Sequence, residues 1–128
     1  MDLYRQHILD HYKHPHHFGR LPKADISKTL FNSACGDRIT MELKLGKDGK
    51  TITDIRFSGE GCAISQASAS LLTDYVFGMK KTDVMKLQKE TVLDMLKTEL
   101  TPTRIKCALL PLEALQKCIL EWEKATVV

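Results

Sequence analysis

The sequence predicts a mixed fold: a small antiparallel sheet with one face covered, bracketed by helices. Three observations predict it. Residues 38–45 alternate polar and apolar, with Ile39, Met41, Leu43 and Leu45 on one side, as a half-buried strand does. The turn formers Gly46-Lys47-Asp48-Gly49 then send the chain back through Thr51–Ser58, where Ile55 and Phe57 alternate again. From Cys62 onward the apolar spacing changes from two residues to the three or four of a helix.

Taken in order, Asp2–Lys13 reads as a short helix, capped by Asp2 and carrying Leu3, Ile8, Leu9 and Tyr12 as its apolar side. His14-Pro15 ends it, because the residue before proline is pushed out of the helical region. His14–Lys28 reads as a loop. Leu30–Ser33 is a short strand candidate, followed by the two strands above in a meander. Cys62–Phe77 is a helix with Ile64, Ala67, Leu71 and Tyr75 as its stripe. Its first half is rich in Ala and Ser, which permits close approach of another element. Thr82 and Asp83 start a short helix that ends near Glu90. Thr91 with Asp94 starts another that runs to about Leu100. Thr101-Pro102 interrupts, and Pro111 takes the first position of a last helix with the stripe Leu112, Leu115, Ile119 and Trp122.

The bulk properties narrow the function. At 128 residues the chain is expected to be one domain over 1–128, with a core that needs no disulfide staples. There are 19 basic and 16 acidic residues, an excess too small and scattered for a nucleic-acid surface. No apolar run approaches the roughly 18 residues of a membrane span. Met1–Asp10 mixes acid and base and has no signal core, so a cytoplasmic address is expected. In that reducing compartment the four cysteines are metal ligands, reactive thiols or core residues rather than disulfides.

Each cysteine has its own setting. Cys35 sits in Asn32-Ser33-Ala34-Cys35-Gly36-Asp37. There Gly36 allows a tight backbone, so Cys35 and Asp37 can face one point. This is either a thiolate–carboxylate half-site for a metal or a strand-connecting turn. Cys62, in Gly59-Glu60-Gly61-Cys62-Ala63-Ile64-Ser65, follows a strand and opens a helix. The free amides and dipole there stabilise a thiolate, and glycines cost backbone entropy that packing alone does not require. Cys107 has Arg104 and Lys106 within three residues. They are either charge partners for a thiolate or exposed neighbours of a core cysteine. Cys118 lies mid-helix beside Leu115, Ile119 and Trp122 and reads as a buried structural thiol. His7 and His11, four apart, can chelate a metal on a helix. For them and for His14, His16 and His17 an adventitious or structural role is expected, because no acidic or thiol partner is near. No Cys-x-x-Cys pair is present, so the three cysteine motifs act together only if the fold brings them together.

Those motifs in this order resemble the IscU/SufU/NifU-N iron–sulfur scaffold family. The resemblance rests on Cys35-Gly36-Asp37, on Gly59-Glu60-Gly61-Cys62-Ala63-Ile64-Ser65 with its small-residue helix, and on Cys107. The opening, with Tyr4, His11-Tyr12-Lys13-His14-Pro15 and Gly19, is similar to the family's N-terminal segment. Arg104-Ile105-Lys106-Cys107-Ala108-Leu109-Leu110-Pro111 resembles the SufU form of the third motif. Lys106 stands where IscU proteins usually carry His, and Leu100-Thr101-Pro102-Thr103-Arg104 differs from their chaperone-read Leu-Pro-Pro-Val-Lys stretch. The Cys62–Cys107 spacing lacks the usual SufU insertion.

The resemblance implies an α+β fold, a three-stranded antiparallel sheet packed against N-terminal and C-terminal helices. It implies a site of Cys35, Asp37, Cys62 and Cys107 that binds zinc or a transient iron–sulfur cluster. It implies a pyridoxal-phosphate cysteine desulfurase as sulfur donor, iron–sulfur apoproteins as recipients, and a monomer or weak homo-oligomer. Cys35 is then the sulfur acceptor, displaced from zinc as the desulfurase docks, with Arg104 as an assisting charge. The alternative is a zinc-dependent sulfurtransferase that activates the desulfurase without scaffolding a cluster. A third possibility is a structural zinc domain that serves only interaction.

Overall fold

The structure, a computed structural model, describes residues 3–32 and 36–126. Its elements in chain order are α1 (Leu3–Lys13), β1 (Ile26–Asn32), β2 (Asp37–Leu45), β3 (Ile52–Glu60), α2 (Ala63–Val76), α3 (Lys81–Met85), α4 (Lys89–Leu96) and α5 (Pro102–Thr126). The strands form one antiparallel sheet in the order β1-β2-β3. This is the α+β meander the sequence predicts.

The period-2 pattern decides which sheet face is covered. Ile39, Met41 and Leu43 on β2, and Ile52, Ile55 and Phe57 on β3, are fully buried. They pack with Leu72 and Val76 of α2 and with Leu112, Leu115 and Ile119 of α5. Each such side chain contributes about 1.5–3 kcal/mol through burial, so this layer is the main source of stability. The β2–β3 register shifts at Lys44/Leu45, where Leu45 pairs with Ile52. A second, smaller cluster of Ile8, Ala67, Leu96 and Ala108 joins α1, α2, α4 and α5.

Several boundaries differ from those expected. Strand β1 begins at Ile26, inside the expected loop, and pairs along its length with β2 from Ile26↔Leu43 to Asn32↔Asp37. Its own sequence is mostly polar, and its extended form depends on ladder bonds to a neighbour. Asp2, the expected cap, and Ser33, the expected strand end, lie outside the described residues. On α2 the covered face is Ser65, Ala69, Leu72, Thr73 and Val76, whereas Tyr75 is exposed. The helix is pressed between sheet, α1 and α5, so burial extends well beyond one stripe.

The two short helices are shorter than expected. α3 stops at Met85 and α4 starts at Lys89. The Gln116 amide of α5 donates to the carbonyls of Val84 (3.2 Å) and Leu87 (3.3 Å), satisfying acceptors that a continuing helix would otherwise bind. α4 ends at Leu96, where Lys97 turns left-handed at φ 55.

The largest correction concerns α5. Pro102 opens this helix and Pro111 lies inside it. Proline suits a first helical position because its missing N–H has no partner there anyway. Both prolines meet that sequence criterion, and only packing separates them. Pro111 is buried between Leu110 and Leu112, and its fixed φ is already helical. One 25-residue helix therefore carries both Cys107 and Cys118.

Gly59 fixes the end of β3 against β2. Its φ is +136, and a Cβ there would lie 1.9 Å from the Arg38 carbonyl oxygen. Gly59→Ala should therefore destabilise the fold by about 2–4 kcal/mol, read as a lower denaturant midpoint at unchanged m-value.

Candidate metal centre

The strand-to-helix passage from β3 into α2 places Cys62. Gly61 precedes it, and a Cβ there would meet Ser65 Oγ at 2.5 Å and Asp37 Oδ1 at 2.8 Å. Only glycine leaves room for the Asp37 carboxylate against the start of α2. Cys62 is the N-cap of α2 and has extended backbone, φ −73 and ψ 168. Its own side chain makes no capping bond. Asp37, the first residue of β2, substitutes for it. Asp37 Oδ1 accepts the Cys62 amide proton at 3.0 Å, one of the unpaired donors of a helix start.

That bond orients the site. Asp37 is 1% exposed, yet its Oδ2 lies 3.6 Å from Cys62 Sγ. Cys107 enters from the second turn of α5 and is fully buried. One ligand atom from each of Asp37, Cys62 and Cys107 lies within 4.8 Å of the other two. Among the described residues no other group of three His, Cys, Asp or Glu comes together in this way. Cys35 lies outside the described residues.

Arg104 sits one helical turn before Cys107. Its exposed guanidinium is held above its ordinary pKa by the sulfurs of Cys62 and then Cys107. The guanidinium therefore lies close enough to both sulfurs to interact with them electrostatically. Ser65, a residue the sequence analysis did not single out for the site, donates to the Cys62 carbonyl at 3.1 Å, and its Oγ lies 3.9 Å from Cys62 Sγ. Its position three residues after a helix-opening cysteine is the signal that points to it.

Two thiolates and one carboxylate repel one another strongly at these separations. A cation removes that cost, and the donor set suits the tetrahedral sulfur–oxygen sphere of zinc. Thiolates also suit iron–sulfur chemistry. The three residues thus fit a metal on the chemistry of their donors.

Cys118 is separate. Eleven residues further along α5, it is about 16 Å away along the axis. It is fully buried, with Sγ 3.9 Å from the Met41 carbonyl oxygen. Burial and then Glu121 push its thiol up to about 12. The structural role expected for it matches this setting.

His7 and His11 each have a hydrogen-bond partner on another element. His7 Nε2 is 3.2 Å from the Met95 carbonyl oxygen, and His11 Nδ1 is 2.8 Å from Ser70 Oγ. His16 and His17 have the acidic partner that the sequence analysis did not find: Asp74, at 2.5 Å and 3.0 Å. It lies 58 and 57 residues away in sequence, so only the packing of the N-terminal segment on α2 shows it.

Comparison with known proteins agrees with this architecture. The profile of the NifU-like N-terminal domain family matches residues 3–127. A Bacillus subtilis protein named zinc-dependent sulfurtransferase SufU is 37% identical, covering 94% of this chain and 92% of its own. A Streptococcus pyogenes protein named iron–sulfur cluster assembly scaffold protein IscU is 35% identical, covering 91% and 82%. Among solved structures, a candidate iron–sulfur cluster assembly scaffold protein for the SUF system from Fervidobacterium islandicum superposes with a TM-score of 0.77. It is 27% identical and covers 89% of this chain and 94% of its own. A NifU-like N-terminal protein from Brucella abortus, 23% identical with a TM-score of 0.73 and 94% coverage of each chain, shares the fold.

Two outcomes test the geometry. Gly61→Ala should displace Asp37 and weaken zinc binding about tenfold in a chelator competition, while Gly46→Ala, at a remote turn, should leave it unchanged. In the folded metal-free protein, a thiol-alkylating reagent should modify Cys62 and spare Cys118, as peptide mapping will show. The chain belongs to the NifU-like N-terminal domain family.

Proposed function

We propose that this chain is an iron–sulfur cluster assembly protein. It takes sulfur from a pyridoxal-phosphate cysteine desulfurase and holds zinc or a nascent cluster at Cys35, Asp37, Cys62 and Cys107. One observation carries the proposal: Asp37, Cys62 and Cys107 come from three separate elements, and their ligand atoms fall within 4.8 Å of one another. The curated relatives named for sulfur transfer and cluster scaffolding support it.

The residues divide the work. Asp37, held by the Cys62 amide, directs its second oxygen toward the sulfurs. Arg104 offsets negative charge at Cys62 and Cys107. Zinc, when bound, keeps thiolates deprotonated and draws the donors together. Cys35 is the proposed sulfur acceptor. Its thiolate attacks the outer sulfur of the donor persulfide. A new S–S bond forms on Cys35, the donor's S–S bond breaks, and the donor cysteine leaves with the electron pair as a thiolate. Recipient apoproteins take the assembled cluster.

A second reading has the chain relay sulfur and activate the desulfurase without scaffolding a cluster. Two observations favour it: Lys106 stands where IscU proteins usually carry His, and a relative 37% identical is named a zinc-dependent sulfurtransferase. Anaerobic loading with ferrous iron and sulfide separates the readings. Cluster absorbance supports the scaffold, and its absence, with persulfide formed when the chain is instead given desulfurase and cysteine, supports the relay.

Alkylation mapping after incubation with desulfurase and cysteine should find the extra sulfur on Cys35. Label found only on Cys62 or Cys107 would contradict that role. Asp37 is the hardest of the proposed ligands and the one expected to exchange most readily. Asp37→Ala should therefore slow cluster loss to a chelator by about threefold or more, and faster loss would contradict a releasing role.

A further inference from the structure

Two histidines and one carboxylate meet at the end of α2 opposite Cys62. Asp74 presents Oδ2 to His16 Nδ1 at 2.5 Å and Oδ1 to His17 Nε2 at 3.0 Å. Asp74 stands twelve residues after Cys62, about 18 Å along the helix. The cluster is therefore separate from the thiol centre.

Adjacent residues of an extended chain point to opposite sides. His16 and His17 reach one carboxylate because His17 is left-handed, with φ 58. That conformation is costly for a residue with a Cβ, and the backbone is held on both sides of it. The His16 amide donates to Ser70 Oγ at 2.8 Å, and the His17 carbonyl accepts from the Phe57 amide at 2.9 Å. The His17 ring stacks on Phe77, with 5.4 Å between centroids.

His11 of α1 stands behind the pair, its ring centre 4.7 Å from that of His16. Two imidazoles bound at about 2.0–2.1 Å to one ion hold their centres about 4.5–5 Å apart. His11 Nδ1 lies 2.8 Å from Ser70 Oγ, the kind of outer hydrogen bond that fixes a ligating ring. Asp10, also on α1, is a further carboxylate acting on His11.

Two imidazoles and one carboxylate with open positions are the donor set of non-haem ferrous sites. The rings meet opposite oxygens of Asp74, so the donors are spread more widely than those of the thiol centre. An ion entering between them replaces the ring-to-carboxylate hydrogen bonds. His16 and Asp74 are both about half exposed, which leaves them free to turn onto it. Thiolates favour zinc at the other centre, and this nitrogen–oxygen set is left for iron.

We propose that His16, His17 and Asp74, with His11 as the neighbouring donor, form a second metal site that binds ferrous iron. The site itself is independent of the function proposed above. Its role rests on that function: it supplies the iron of the cargo while the thiols take the sulfur.

The test is anaerobic titration of the zinc-loaded chain with ferrous iron, followed by iron K-edge X-ray absorption. Wild type should take up one equivalent of iron and keep its zinc, with a shell of nitrogen and oxygen, imidazole scattering and no sulfur. Asp74→Asn, and the double variant His16→Gln, His17→Gln, should each weaken uptake at least tenfold. Zinc content and thermal unfolding control for folding. His16→Gln alone, at a half-exposed ring, should also weaken uptake and serves where the double variant does not fold. Cluster formation at limiting iron should slow severalfold in the same variants. Uptake unchanged by the substitutions, a sulfur shell, or adventitious binding only, with several weak equivalents lost on desalting, would overturn the site. Unchanged cluster formation at limiting iron would overturn its supply role. A chain whose Cys35 takes no sulfur but which binds iron as described would overturn the function proposed above and leave the site standing.

Discussion

The bond from the Cys62 amide to the Asp37 carboxylate is the constraint on which the site depends. It joins the first residue of β2 to the start of α2, and so fixes the sheet relative to the helix that bears a thiol. A helix start needs an acceptor for its free amides, and a buried carboxylate needs donors. Each meets the other's requirement. Gly59 and Gly61 exist on the same terms: one lets β3 pass the Arg38 carbonyl, and the other leaves the carboxylate its place.

The cost of this arrangement is electrostatic. Gathering Asp37, Cys62 and Cys107 in a largely buried corner concentrates acceptors and thiols at short range. Arg104 faces the sulfurs from the exposed start of α5. A single guanidinium at the surface is screened by water and offsets only part of the repulsion. A divalent ion offsets it at short range. A bound cation would complete the site on these electrostatic terms.

Much of the fold is legible in the sequence because its signals are local. The alternation through Ile39, Met41, Leu43 and Leu45 reflects one buried sheet face, and the helical stripe from Leu112 to Trp122 reflects one buried helix face. Only the end of strand β1 is legible, at Leu30–Asn32, since Ser27, Lys28 and Thr29 become a strand only through pairing with β2. The start of α5 is not legible either, because Pro102 and Pro111 both satisfy the rule for a helix beginning. The glycines beside Asp37 and Cys62 single those positions out in the sequence, whereas Cys107 has only its basic neighbours, and the convergence of the three is not legible. Nothing in a spacing of 45 residues between Cys62 and Cys107 reveals that α5 returns to the start of α2. The Asp74 pairing with His16 and His17 was hidden for the same reason.

Zinc K-edge X-ray absorption on the metal-loaded protein tests the central claim most directly. A shell of three sulfurs at about 2.3 Å and one oxygen at about 2.0 Å is the result predicted, with one sulfur fewer when Cys107 is changed to Ser. A shell of nitrogen and oxygen alone, unchanged by that substitution, would place the metal elsewhere and contradict the account.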